Sequence, residues 1–123
     1  MKKTVFIQIG ASSHSKEDRQ EDDFYATEPK ALEKFLDESG IKLFNVWECA
    51  CGEGHLAEVL KKRNLLGKAS DLINRGYGDV DVNFFYLSEF WQGDILTNPP
   101  YDKAVEFCKH SLDCVDNGRL VVM

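Results

Sequence analysis

The run Asn98-Pro99-Pro100-Tyr101 carries the sharpest chemical signal in the sequence. It follows the apolar segment 93–97, which is typical of a short β-strand. Two consecutive prolines fix the backbone and remove two N–H donors, so that backbone carbonyls remain as acceptors. The asparagine side chain adds another carbonyl, and the tyrosine ring offers a face for stacking. The run therefore suits a planar NH2 group; the plainer alternative is a rigid strand-to-helix turn.

A glycine-containing loop precedes this run and lies between an expected strand and an expected helix. Gly52 and Gly54 let the backbone turn tightly and approach a ligand, and the helix start offers free N–H groups. Glu48 precedes the loop, and Asp71 follows it at about the 20-residue distance typical of a ribose-binding acid. Taken alone, the loop also fits a dinucleotide pattern ending at Ala57, or a tight turn with incidental acids.

The acid before the loop separates these alternatives. Segment 48–54, with the sequence ECACGEG, resembles the first motif of the class I S-adenosylmethionine-dependent methyltransferases, an acid followed by three residues and Gly-x-Gly. The resemblance implies that Glu48 lies near the amino-acid moiety of the cofactor. It also implies that Asp71 binds the ribose hydroxyls. Carboxylates suit both roles because they accept hydrogen bonds from ammonium and hydroxyl donors.

The run 98–101 closely resembles the fourth motif of the amino-methyltransferases, which include adenine-N6 DNA, RNA and protein-glutamine methyltransferases. The resemblance implies that the Asn98 side chain and the Pro99 carbonyl bind the target amine, and that Tyr101 packs on the target. With Pro100 they form the expected catalytic set. Adenine N6 in DNA is the first expected target, and an RNA base or a protein glutamine is the alternative. No strong general base is needed if these acceptors align the amine for in-line transfer.

A third match lies in segment 22–29, with the sequence DDFYATEP, which resembles the cofactor-flanking motif of phage-type adenine methyltransferases. The alternative is that this segment only starts a helix behind a hydrophobic staple. Asp81, or else Asp79, is expected near the adenine amino group, although both also suit turns. The residues expected to contact the cofactor are Tyr25, Ala26, Thr27, Glu48, Cys49, Ala50, Gly52, Gly54, Asp71, Leu72, Asp81 and Asn98.

The hydrophobic pattern supplies elements that would position these motifs. It predicts strands over 4–9, 44–47, 67–72, 80–86, 93–97 and 120–123. Helices are predicted from a Thr27 cap to Gly40, from His55 onward, and from an Asp102 cap to Gly118. The last helix is expected to bury Val105, Cys108, Leu112 and Val115. This order predicts an α/β fold, a Rossmann-like and mostly parallel sheet with flanking helices.

Composition bounds the class of protein. The 123 residues suit one domain, and 43% hydrophobic residues are typical of a globular chain. The net charge of −6 opposes indiscriminate binding to phosphate backbones, although Lys61-Lys62-Arg63 with Lys68 forms a basic strip that suits either nucleic acid or a solvated helix end. The four cysteines lack zinc spacing, which favours reduced thiols in a cytoplasmic protein without metal. No segment is long enough to span a membrane.

The chain is expected to comprise an N-terminal strand and mobile polar arm over 1–23 and a cofactor-binding core over 24–123. The resemblance begins at residue 22 and corresponds to a truncated class I core, because the later strands and motifs of that family have no counterpart. Strand 120–123 would then be an open edge, which favours aggregation. Its expected cover is strand 4–9, a second copy in a homodimer, or more of a longer protein. A non-catalytic cofactor-binding fragment or subunit is the alternative to an enzyme.

Overall fold

A computed structural model describes residues 5–7, 28–87 and 90–123. The strands are β1 (Val5–Ile7), β2 (Val46–Glu48), β3 (Leu66–Ala69), β4 (Ile95–Leu96) and β5 (Leu120–Val122). The helices are α1 (Pro29–Ser39), α2 (His55–Lys62) and α3 (Ala104–Cys114), with short 3-10 turns at Phe84–Tyr86 and Tyr101–Lys103. The chain therefore has the alternating strands and helices of an α/β fold.

All five strands are parallel and lie in the order β1-β5-β4-β2-β3. The expectation of a parallel α/β sheet with flanking helices is thus confirmed. From β2 the chain passes through α2 to β3 on one side, and β4 lies on the other side of β2. The strand order consequently reverses between β2 and β4, and in open α/β sheets ligands bind at such a point beyond the carboxyl ends of the strands.

The core has two layers because side chains alternate between the faces of the sheet. Val46, Leu96 and Val122 contribute to one cluster, which α1 and α2 cover with the apolar residues Leu32, Leu56, Val59 and Leu60. The next residues along these strands face the other way. Trp47, Ile95 and Val121 pack with Phe84 and Phe107 in a second cluster, where the Phe84 and Phe107 rings stack 5.2 Å apart.

The first two helices follow their sequence signals closely. Pro29 starts α1, where its fixed φ is tolerated, and Gly40 ends the helix with a left-handed φ of 72°. The N-cap is Glu28, whose side chain accepts a hydrogen bond from Lys30 N at 3.5 Å, so the predicted Thr27 cap is wrong by one residue. Helix α2 begins at His55 as predicted.

Two predictions for the second half of the chain are wrong. The segment 80–86 is not a strand, because Asp81 takes a left-handed φ of 56° and Asn83 caps a 3-10 turn by accepting Phe85 N at 3.0 Å. The predicted buried face of the third helix is correct for Val115, which is 0% exposed, and for the partly buried Leu112, but it is wrong at its start. Asp102 lies inside a preceding 3-10 turn instead of capping α3, and Val105 is 63% exposed. The buried positions are Phe107, Ser111 and Cys114.

The N-terminal strand covers β5. Val5 pairs with Leu120, and Met123 N donates to Ile7 O at 2.7 Å. Val121 and Val122 are both 0% exposed. Of the three covers expected for the C-terminal strand, the structure shows the chain's own first strand, and it does not support a homodimer through that edge. The expected polar arm lies outside the described residues.

The Asp94 side chain links the amino ends of three strands through hydrogen bonds. Its buried carboxylate accepts Phe44 N at 2.6 Å and Leu120 N at 2.7 Å, and Arg119 Nε lies 3.7 Å from the same group. Charged acceptors make stronger hydrogen bonds than neutral ones. This single side chain therefore fixes the start of β4 between the segments that lead into β2 and β5, at the edge opposite the predicted site.

Candidate functional site

Both sequence motifs lie at the carboxyl edge of the sheet, on neighbouring strands. Trp47 of β2 pairs with Ile95 of β4, and Glu48 pairs with Ala69 of β3. Because all three strands are parallel, the segments that follow them share one edge. The structure therefore brings together the glycine loop after β2, Asp71 after β3 and the Asn98 run after β4.

The glycine loop is held against the end of β3. Cys51 N donates to Ser70 O at 3.0 Å, and Gly54 N donates to Cys51 O at 2.8 Å. Gly52 and Gly54 have left-handed φ angles of 55° and 94°, which a side chain at these positions would disfavour. Gly54 is also the N-cap of α2, so the loop ends at the free N–H groups of a helix start.

Glu48 is an almost fully buried carboxyl group, 2% exposed, at the end of β2. Its Oε1 accepts a hydrogen bond from Ala50 N at 3.0 Å. Burial raises the pKa of Glu48 to about 8; Thr97 and the Ala50 amide oppose this rise, and the negative charge of Asp71 adds to it. At neutral pH the carboxyl is therefore mostly protonated, and a cation brought beside it would favour its ionised form.

Asp71 serves the loop itself, a role that the sequence pattern did not reveal. Its Oδ2 accepts Gly52 N at 2.8 Å and its Oδ1 accepts Ile73 N at 2.9 Å. Arg75 Nη1 lies 3.8 Å from the same Oδ1. Each carboxylate oxygen has two lone pairs, so Asp71 retains acceptor capacity for hydroxyl groups while it shapes the loop.

Tyr77 is a site residue that the motif analysis missed. Its ring packs so closely on Gly54 that a Cβ at that position would overlap the ring atoms. The Tyr77 carbonyl also lies 3.6 Å from the Cys51 thiol. Burial, followed by the Glu58 carboxylate, raises the pKa of Tyr77 to about 12. The only available sequence signal was an aromatic residue between two glycines, which is typical of turns in general.

The Asn98 run forms a strand-to-helix turn at the protein surface. Thr97 is buried, whereas Asn98 is exposed and Tyr101 is 45% exposed. Pro100 is extended, with φ −52° and ψ 134°, and its carbonyl accepts Lys103 N at 3.0 Å. The Pro100 carbonyl thus closes the turn, and both Asn98 and Tyr101 lie at the protein surface.

The remaining predicted cofactor residues differ in their surroundings. Cys49 is buried in the second core cluster, where burial raises the pKa of its thiol well above the usual value. Ala50 is half-buried, and Leu72 is 47% exposed although apolar. Asp81 is exposed and lies near the Asp71 backbone, because its neighbour Val82 donates to Asp71 O at 3.0 Å. Tyr25, Ala26 and Thr27 lie outside the described residues.

The basic strip is partly engaged within the fold. Arg63 Nη1 pairs with Asp37 Oδ1 at 3.0 Å, and Lys68 Nζ lies 4.7 Å from the centre of the Trp47 ring. Lys61 and Lys68 line an open groove along the outer edge of β3, but Asp79 lies there too. This arrangement favours the solvated helix end over a nucleic-acid contact.

Known proteins provide no further guide to this site. Comparison with protein-family models, curated proteins and solved structures finds no match.

All four cysteines are free thiols. Within residues 5–7, 28–87 and 90–123, no three His, Cys, Asp or Glu side chains are grouped to hold a metal ion, and no helix there is long and apolar enough to cross a membrane. Any assignment therefore rests on the motifs and their geometry.

Proposed function

We propose that this protein is an S-adenosylmethionine-dependent amino-methyltransferase with a Rossmann-like core, and that adenine N6 in DNA is its first candidate target. One observation carries the proposal. The Glu48 loop and the Asn98 run, each matching a methyltransferase motif, follow adjacent parallel strands at the point where the strand order reverses. Ligands bind beyond the carboxyl ends of such strands in open α/β sheets.

The groups on the β2 and β3 side suit the cofactor. Glu48 would hold the ammonium of the methionine moiety, because a buried carboxylate gains most from an opposite charge. Asp71 would accept the ribose hydroxyls, and Asp81 would accept the adenine amino group. Leu72, exposed and apolar beside Asp71, offers a surface for the adenine ring. Gly52 and Gly54 bring the backbone close enough for these contacts.

The groups on the β4 side suit the methyl acceptor. When bound, S-adenosylmethionine supplies an electrophilic methyl group on its sulfonium. The Asn98 side chain and the Pro99 carbonyl would each accept one N–H of the target amine, which orients the nitrogen lone pair. Tyr101 would stack on the planar target.

The target is tested most simply by offering matched acceptors. Purified protein is incubated with methyl-labelled S-adenosylmethionine and single-stranded DNA, duplex DNA, RNA or a glutamine-containing peptide. We expect label in the adenine of DNA, with single-stranded DNA the better substrate, because extracting a base from a duplex costs a few kcal/mol. The matched control is the same oligonucleotide with every adenine already N6-methylated. Label in RNA or peptide alone would reassign the target, and cofactor binding without any product would favour a non-catalytic subunit.

A further inference from the structure

We propose that Tyr77 is a specificity-determining residue whose ring closes the glycine loop to ligands that carry a diphosphate. The loop sequence taken alone fits a dinucleotide pattern through Gly52, Gly54 and Ala57. In that pattern the second glycine leaves room for the diphosphate to approach the backbone. Closure of the loop is a property of the ligand-free protein, whereas the ligand that the site admits instead rests on the proposed function.

The space beside Gly54 is already filled. Gly54 is the second glycine of the pattern and the N-cap of α2, where a phosphate would meet the free N–H groups of the helix start. A Cβ at Gly54 would lie 2.6 Å from both Cγ and Cε2 of the Tyr77 ring. Carbon atoms in contact are about 3.5–4.0 Å apart, so no ligand atom fits on that side of the glycine. Gly54 is accordingly buried, although its neighbours Glu53 and His55 are exposed.

The backbone around Tyr77 is attached both to the loop and to the sheet. The Cys51 thiol lies 3.6 Å from the Tyr77 carbonyl oxygen. Two residues further on, Asp79 N donates to Ala69 O at 3.0 Å. Gly78, with a left-handed φ of 69°, lies so close to the end of β3 that a Cβ there would come within 2.8 Å of Ala69 O. These contacts fix the backbone that carries the Tyr77 ring over the loop.

The proposed cofactor does not need the position that the ring occupies. S-adenosylmethionine joins its adenosine to its amino acid through a sulfonium and carries no phosphate. Charge also opposes a diphosphate here, because the acidic Glu58 lies in the first turn of α2. A like charge near the surface is screened by salt, whereas overlap of atoms excludes a ligand at any salt concentration. Tyr77 is therefore the main barrier to a diphosphate at this helix start.

The test compares Tyr77→Ala, which removes the ring, with Tyr77→Phe, which keeps it. Each protein is titrated with ADP at about 0.15 M salt, and the nitrogen-15 NMR signals of the Gly54 and His55 amides report binding at the helix start. We expect saturable shifts in Tyr77→Ala, with ADP bound at least about tenfold more tightly than by the wild type or Tyr77→Phe. The matched control is Tyr86→Ala, which removes a tyrosine that is 86% exposed and should leave ADP binding as in the wild type.

Equal ADP affinity in the wild type and Tyr77→Ala, or no ADP binding by either protein, would overturn the proposal, because the ring would then not be the barrier. Should Tyr77→Ala not fold, Tyr77→Val removes the ring and keeps a larger apolar side chain. Titration of the same proteins with S-adenosylmethionine separates this inference from the proposed function. ADP binding gained by Tyr77→Ala, in a protein that never binds S-adenosylmethionine, would support the role of Tyr77 and reject the methyltransferase. Binding of both ligands by the wild type would do the reverse.

Discussion

Alanine in place of Asn98 is expected to lower methyl transfer at least about 100-fold while leaving the affinity for S-adenosylmethionine within about twofold. The exposed Asn98 side chain follows the buried Thr97 and is one of two acceptors proposed for the target amine. Without it the amine is held by a single carbonyl, and its lone pair is no longer aligned for in-line attack. Labelled-methyl transfer and cofactor titration on the same preparation separate the two effects.

The matched control for this variant is Asn117→Ala. Asn117 is an exposed asparagine in the turn before β5, at the opposite edge of the sheet. Its replacement should leave both transfer and binding as in the wild type. Residual transfer by Asn98→Ala at the wild-type rate would contradict the role assigned to the run 98–101. Equal losses in both variants would indicate a general defect of folding.

Glutamine in place of Glu48 is expected to stabilise the ligand-free protein at alkaline pH and to abolish tight cofactor binding. The pKa of Glu48 is raised from 4.5 to about 8. Between these values the folded protein binds more protons than the unfolded chain, so this group makes stability fall as pH rises through that interval. The free energy of unfolding then falls by at most about 1.4 kcal/mol per pH unit because of this group. Glutamine keeps the shape, stays neutral and removes this slope.

Urea unfolding of both proteins at pH values from 5 to about 8.5 measures this difference directly. The stability of the Glu48→Gln variant relative to the wild type should grow as pH rises. Glu53→Gln is the control, because Glu53 is an exposed carboxylate in the same loop. A constant difference between the wild type and Glu48→Gln over this range would show that Glu48 titrates normally.

Much of the fold was predictable from local signals. Pro29, Gly40 and the His55 helix start are local features of backbone geometry, and they fixed the bounds of α1 to within a residue and the start of α2. The alternation of strands and helices predicted a parallel sheet. Parallel strands end at one edge, and the structure adds that the motifs after β2 and β4 follow neighbouring strands there.

The errors arose where tertiary contacts outweigh local preference. Segment 80–86 is rich in strand-forming residues. In the fold, however, Phe84 lies in a 3-10 turn, and its ring packs against both Trp47 and Phe107. Likewise, the predicted apolar face of α3 omitted Phe107, which stacks on that same ring. Periodicity within one segment carries no information about which distant side chains it will meet.

In the site, too, local sequence signals indicated some residues, and tertiary contacts determine the others. Motif spacing singled out Glu48 and Asn98, and the structure places both at the carboxyl edge of the sheet. It did not reveal that Asp71 binds the Gly52 amide or that Tyr77 covers Gly54. Those contacts depend on how the segment after β3 folds back beside β2, through hydrogen bonds such as Asp71 N to Asp79 O at 2.9 Å.

The central claim, that the carboxyl edge between β2 and β4 is a cofactor site, is tested most directly by calorimetric titration of the folded protein with S-adenosylmethionine. NADH serves as the competing cofactor, and Glu48→Gln as the site variant. We predict saturable binding of S-adenosylmethionine with Kd on the order of micromolar, lost in the variant, and no binding of NADH. Absence of S-adenosylmethionine binding by folded protein, or saturable binding of NADH in its place, would contradict the account.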